Sequence, residues 1–177
     1  GLFTLGRVLV TSIVALFGTS QIAANSVAGS IDQIAVVVVN AINLGIVVVV
    51  GQCIGANDYE QAKYYIKKLM KISYIVTGII GSAVILLLPW ILNLYSLSSE
   101  ARNLTFILVI MHNIMATALH PTAFVLPNGL RAAGDVKFSM VVGIVSMILF
   151  RLGAAVLFGI IFNLGIIGVW IAMGSDW

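Results

Sequence analysis

The chain has one cysteine, Cys53, in 177 residues. That excludes an internal disulfide and any multi-cysteine zinc site, and leaves Cys53 as a small apolar packing residue. Charge is almost as scarce. Lys and Arg number nine and Asp and Glu six, 8% of the chain, where an ordinary soluble domain carries about 25%. So few charges cannot cover the outside of a globule of this size, so the solvent for most of the surface is lipid. A nucleophile–base pair, a cluster of metal ligands and a phosphate-binding glycine loop are also missing, which argues against an enzyme, a metal site or a bound cofactor. Aromatics do not alternate with Lys and Arg as a nucleic-acid groove requires, so no nucleic acid is expected as partner. There is no initial Met and no signal-peptide pattern. The last apolar segment stops after about ten residues, where a span needs about 20. The chain is therefore expected to be a fragment, cut at both ends.

What is present is a series of apolar segments. They predict an all-α, polytopic transmembrane helix bundle with helices at about 2–18, 21–54, 72–94, 103–127, 138–162 and 166–177, the first and last incomplete. Segment 21–54 contains two four-residue valine runs. Such runs favour strands in water, but a lone strand in lipid leaves its backbone unpaired, so helix wins. Gly55 suits a helix C-cap and Asn57 the next N-cap, with Glu60 completing a capping box. Residues 58–71 then form a short amphipathic helix at the membrane surface, which runs into the third spanning segment. Segment 103–127 is expected to end at Pro127, before a basic hairpin at 131–137. Alternating helix directions place Arg7, Lys63, Lys67, Lys68, Lys71, Arg131 and Lys137 on one side and only Arg102 on the other. The basic side, with loops 55–71 and 131–137, should be cytoplasmic, and the protein integral to the plasma (inner) membrane.

Polar residues inside the spans are the candidate functional groups. At about 100° per residue, Asn25, Gly29, Asp32, Gln33, Asn40 and Asn43 share one arc of roughly 100°. Such a stripe should face a bundle interior or a wet cavity. Asp32 is the acidic residue deep in a complete span. It can exchange a proton between the two faces of the membrane, bind an organic cation, or act as a hydrogen-bonded structural carboxylate. Asn113, Thr117, His120, Phe124 and Asn128 share a face of the fourth segment, at spacings of three or four. His120 suits proton exchange or polar packing. His112 points elsewhere on that helix, and about 12 Å of axial separation is too far for both histidines to hold one metal ion. Pro121 and Pro127 expose carbonyls to a cavity or simply bend the helix. Ser139, Gly143, Ser146, Gly153 and Ala154 suggest close packing of the fifth segment. Arg151, costly at mid-bilayer, needs a partner or water; Asp32 is a candidate.

Four strings carry a resemblance. L-P-N-G-L-R-A-A-G-D-V-K-F at 126–138, with Pro127, Arg131, Gly134 and Asp135, resembles the hairpin between the tenth and eleventh helices of the multidrug and toxic compound extrusion (MATE) family. G-Q-C-I-G-A-N-D-Y-E-Q-A-K at 51–63 resembles the loop after the eighth helix. F-G-T-S-Q-I-A-A-N at 17–25 resembles the junction of the seventh and eighth, and L-G-I-I-G-V-W-I-A-M-G-S-D-W at 164–177 the start of the twelfth. The resemblance covers essentially the whole chain, in register. It implies that residues 1–177 are most of the second six-helix bundle of a twelve-helix, pseudo-symmetric transporter. The N-terminal bundle would be the missing partner. Such a protein would export cationic or amphipathic compounds in exchange for H⁺ or Na⁺. Two departures matter. The acidic residue that many members carry in helix seven would precede Gly1. The position eleven before the hairpin arginine, acidic in a sodium-coupled branch, is His120 here, which leans toward protons. A lipid-linked saccharide flippase of the wider superfamily would show more cations lining its cavity. A non-transporting scaffold or sensor would pair off Asp32, His120 and Arg151 away from water.

Overall fold

The computed structural model of the chain describes residue 8 and residues 10–175. The start of the first expected helix, Arg7 included, and the end of the last lie outside the described residues. Helical residues from Val10 run into a 3-10 turn at Ala15–Phe17. Gly18 follows with φ +96°, a conformation costly for any residue with a side chain, and breaks the chain direction. Helix α1 is Thr19–Gly55 and α2 is Tyr59–Asn93. Helix α3 is Ser99–Ala132. Helix α4 starts at Val136–Ser146 and continues through π turns at Met147–Ala154 and Leu157–Ile161. Helix α5 is Gly165–Ser175. Four of these helices are long and apolar enough to cross a membrane, and no strand occurs among the described residues. The surface is apolar in turn, with Ile34, Leu86 and Ile114 each more than 60% exposed, the inverse of a protein folded for water.

Helices α1, α2 and α3 pack on one another, and α5 packs on α3, α1 and α4. Two hydrogen bonds tie the start of α5 to the start of α1. Gln21 Oε1 accepts from the Ile166 N–H at 2.8 Å, and Asn25 Oδ1 accepts from Trp170 Nε1–H at 3.0 Å. Packing at this end is glycine-dependent. A Cβ on Gly159 would come 3.0 Å from Val169 Cγ2, and one on Gly168 would come 2.5 Å from the Phe158 carbonyl oxygen. Close approach thus falls at Gly159 and Gly168. At Gly153, expected from sequence to mediate it, a Cβ would meet only Ile148 of its own helix.

The other end closes with two turns of one design. After α1, Asn57 takes φ 56°, with Asn57 N–H donating to Ile54 O and Asp58 N–H to Cys53 O, both at 3.0 Å. After α3, Gly134 takes φ 101°, with Gly134 N–H donating to Arg131 O at 3.1 Å and Asp135 N–H to Leu130 O at 3.0 Å. Both are Schellman turns, which satisfy the last helical carbonyls. The expected caps shift by one or two residues. Gly55 is the last helical residue, Asn57 is the left-handed one, and Asp58 caps α2 by accepting from Gln61 N–H at 2.9 Å. Glu60 pairs with Lys63 at 2.8 Å, and that ammonium holds its carboxyl below the usual value. Gln61, at the third position after the cap, accepts from the buried Cys53 thiol.

The stretch 58–71 runs into the span as expected, with no boundary at 71–72: it is the first third of α2. Nothing between Lys71 and Ile72 stops a helix, since no Gly, Pro or capping residue stands there. Helix α3 does not end at Pro127 but passes both prolines to Ala132. A π turn at Pro121–Val125 lies between the two prolines, and Leu126 N–H reaches back to Pro121 O. The Thr122 hydroxyl donates to Leu119 O at 2.8 Å, and Tyr74 of α2 to Ala118 O at 3.5 Å. Beyond the π turn, Gly129 packs where a Cβ would lie 3.1 Å from Ile46 Cδ1 and 3.2 Å from Ile66 Cγ1.

Candidate functional site

The polar stripe of α1 divides. Asn43 is buried, while Asn25 and Asp32 are partly buried and turned into the bundle; Gln33 and Asn40, farther round the helix, are exposed. Asp32 Oδ1 lies 2.9 Å from His112 Nδ1. Its partner is therefore His112 and not Arg151, the candidate suggested by the sequence. His112 does not point away from the site either. It is 7% exposed and packs edge-on to Trp170, ring centroids 5.3 Å apart at 83°. A continuous relay of contacts thus runs from Asn25 through Trp170 and His112 to Asp32, joining α1, α3 and α5.

Beside this pair is a pocket with about 20 Å³ of free space, room for roughly one water molecule. Asp32 and Val36 of α1, Thr77 and Gly81 of α2, and His112 and His120 of α3 form its wall. Gly81 lets α2 and α3 approach here. A Cβ would lie 3.2 Å from Thr117 Oγ1 and 3.3 Å from Asn113 Oδ1. The Asn113 amide donates to Val109 O at 2.8 Å. The His120 ring stacks on Phe124 with centroids 4.4 Å apart. The structure thus brings Asp32, Asn113, Thr117, His120 and Phe124 into one seam. Arg151 is half-buried on the π turn of α4. Pro127, Arg131, Gly134 and Asp135 belong to the distant turn, with Arg131 3.4 Å from Asn128 Oδ1.

Among the described residues, three buried polar atoms in this seam find no hydrogen-bond partner: Thr77 Oγ1, Ser73 Oγ and Asn43 Oδ1. Thr77 lines the pocket, and Ser73 lies one turn of α2 nearer the lysine end. Buried groups of this kind call for water or a ligand. Among the described residues, no three His, Cys, Asp or Glu side chains gather to hold a metal ion. Two site residues escaped the sequence reading, His112 and Trp170. The only sequence signal for Trp170 was its place in the string at 164–177.

A family model for MatE matches residues 2–157. The uncharacterized transporter YisQ of Bacillus subtilis is 27% identical over 98% of this chain and 38% of its own length. The probable multidrug resistance protein YoeA of the same organism is 27% identical over 96% of this chain and 36% of its own. The chain thus spans under two fifths of the curated relatives it matches. A multidrug resistance MATE family transporter of the MOP superfamily, in its outward-facing conformation, superposes with TM-score 0.85 at 18% identity, over 98% of this chain and 39% of that one. A MOP superfamily transporter from Pyrococcus furiosus, described as having a binding pocket of reversed polarity, gives TM-score 0.79 at 19% identity, over 98% and 38%. These two likenesses carry the fold, and the four long apolar helices make the protein an integral membrane protein. The family match covers most of the sequence and takes in three of the four strings, those at 17–25, 51–63 and 126–138: the chain belongs to the MatE family.

Proposed function

We propose that this chain works as the second bundle of a secondary antiporter that exports cationic or amphipathic compounds in exchange for protons. It would act with an N-terminal bundle in the plasma membrane, with loops 55–71 and 131–137 in the cytoplasm. The observation that carries this reading is the Asp32–His112 pair, 2.9 Å apart inside the bundle and beside a pocket for one water. An ionisable pair at membrane depth is costly and is a functional site by default. Carboxylate and imidazole together hold one negative charge when the imidazole is neutral and none once it is protonated. In low dielectric that difference is felt strongly across the seam. The same pair therefore favours one packing of α1 against α3 when protonated and another when not, which is what coupling requires. The direct partner of Asp32 is an imidazole, a group able to take up a proton; this favours H⁺ over Na⁺. The unpartnered Thr77 Oγ1 gives a water in that pocket a further partner. Gln33 and Asn40, exposed amides on a lipid-depth helix, supply the polar contacts of a substrate cleft shared with the other bundle.

The test is dye efflux by the whole transporter in everted vesicles under an imposed pH gradient, at matched expression. Asp32→Asn and His112→Gln should each reduce gradient-driven exchange to background, and a sodium gradient should not replace the pH gradient. Unchanged exchange in both variants would make the pair structural.

A further inference from the structure

A second and larger pocket lies at the opposite end of the bundle from the lysines. It is about 260 Å³ and is lined by Pro89 and Leu92 of α2 and by Arg102, Asn103 and Phe106 of α3. Its cation stands against two general preferences. Arg102 is in the first turns of α3, where the helix dipole favours acidic groups. It is also on the side that the charge distribution leaves nearly free of Lys and Arg. Its guanidinium donates to Asn93 Oδ1 at 2.6 Å, which orients the group without neutralising it. Among the described residues no carboxylate forms an ion pair with it. Asn93 ends α2, whose dipole favours a nearby cation, so the fold accommodates the charge but supplies no counter-ion.

Depth points to the counter-ion. Lys71 and Trp90 are 19 residues apart on one unbroken helix, about 28 Å, against a hydrocarbon core about 30 Å thick. With Lys71 at one boundary, Pro89 and Leu92 stand at the other. Exposed Trp90 and Tyr95 beside them match the aromatic belt of a membrane interface. Arg102 and Asn103 are then at headgroup depth, and Phe106 is one turn deeper, among acyl chains. The volume lies below the roughly 300–1,000 Å³ that hold whole drug-sized ligands. It suits a headgroup whose chains remain in the bilayer. An exported organic cation would be repelled by Arg102.

We propose that this pocket is a phospholipid site, with the headgroup phosphate on Arg102 and Asn103 and the first acyl carbons against Pro89, Leu92 and Phe106. Trp90, 77% exposed and next to Pro89, reports occupancy. The whole transporter is reconstituted in phosphatidylcholine carrying dibrominated phosphatidylglycerol, and the Trp90 signal is isolated as the difference between the parent and Trp90→Phe. Brominated phosphatidylglycerol should quench Trp90 at a lower mole fraction than brominated diacylglycerol, which lacks the phosphate. Arg102→Gln should raise the half-quenching mole fraction about fivefold, the loss expected for one cation near a bilayer surface. Arg102→Lys should restore most of it, and Phe106→Ala should weaken it independently. Equal quenching by the two lipids, or no shift in either Arg102→Gln or Phe106→Ala, overturns the proposal. So does relief of quenching by millimolar inorganic phosphate, which would mark a free-anion site.

Discussion

At the scale of single residues, a side chain's partner depends on faces that one helix cannot reveal by itself. Asp32 stands out in the sequence as an acid deep in a span, but its partner does not. The 100° rule grouped Asn113, Thr117, His120 and Phe124 as the inner face of α3 and so set His112 aside. That inference supposes one inner face. In the structure α3 packs against α1 and α2 on one side and α5 on another, so His112 and His120 are both buried, 7% and 6% exposed. Glycine is equally ambiguous. Gly153 and Gly168 look alike in the sequence, yet a Cβ at Gly153 meets only its own helix while one at Gly168 lies 2.5 Å from a backbone oxygen that cannot rotate away. Gly168→Ala should therefore destabilise by about 1–3 kcal/mol, the usual cost of overpacking, and Gly153→Ala should be nearly silent. Thermal unfolding of the purified transporter, followed by size-exclusion chromatography, measures both; equal midpoints would refute the packing described for α4 and α5.

At the scale of elements, segment type was legible because lipid admits only helices over such lengths. Boundaries were less so, because they depend on backbone accommodation. Pro127 looked like a stop, but a π turn at Pro121–Val125 precedes it and the helix continues to Ala132. That turn also has a positional effect. A π turn inserts one residue, so everything after it is rotated by about 100°. The rotation brings Gly129 against Ile46 and Ile66 and seats Val125 with Ile46, Val50, Cys53 and Ala62. Pro121→Ala restores the donor and lets α3 relax to regular α-helix, turning Gly129 out of that contact. Cys53, 6% exposed in this cluster, should then react faster with a small maleimide, in a background where it is the sole cysteine. A local loss of about 1.4 kcal/mol corresponds to roughly tenfold in rate. An unchanged rate would mean that the proline does not set the register.

At the scale of the whole molecule, the four family strings turn out to be two contacts. Residues 17–25 meet 164–177 through Gln21–Ile166 and Asn25–Trp170. Residues 51–63 meet 126–138 in one cluster, where Ala132 packs with Cys53 and Ala62, and each string carries a turn of the same geometry. Strings that look independent along the chain close the two ends of one bundle, with the Asp32 pocket between them. The sequence could supply the strings and their order but not the pairing, which needs the helix directions and packing. It also treated the α1 stripe as one surface, where the structure has two. Asp32 is turned toward α3, whereas Gln33 and Asn40 remain exposed, and Ile34, 74% exposed, lies about 100° farther round than Gln33. Exposed amides at that depth cannot face hydrocarbon at low cost, so the first arc faces a wet cleft and the second faces lipid. In the whole transporter, Gln33→Cys and Asn40→Cys should therefore react with a charged, water-soluble thiosulfonate, and substrate should slow that reaction. Ile34→Cys should stay unreactive, because the reagent needs a thiolate in water. Labelling of Ile34→Cys at the same rate as Gln33→Cys would place both arcs in water and remove the argument that α1 borders a cleft.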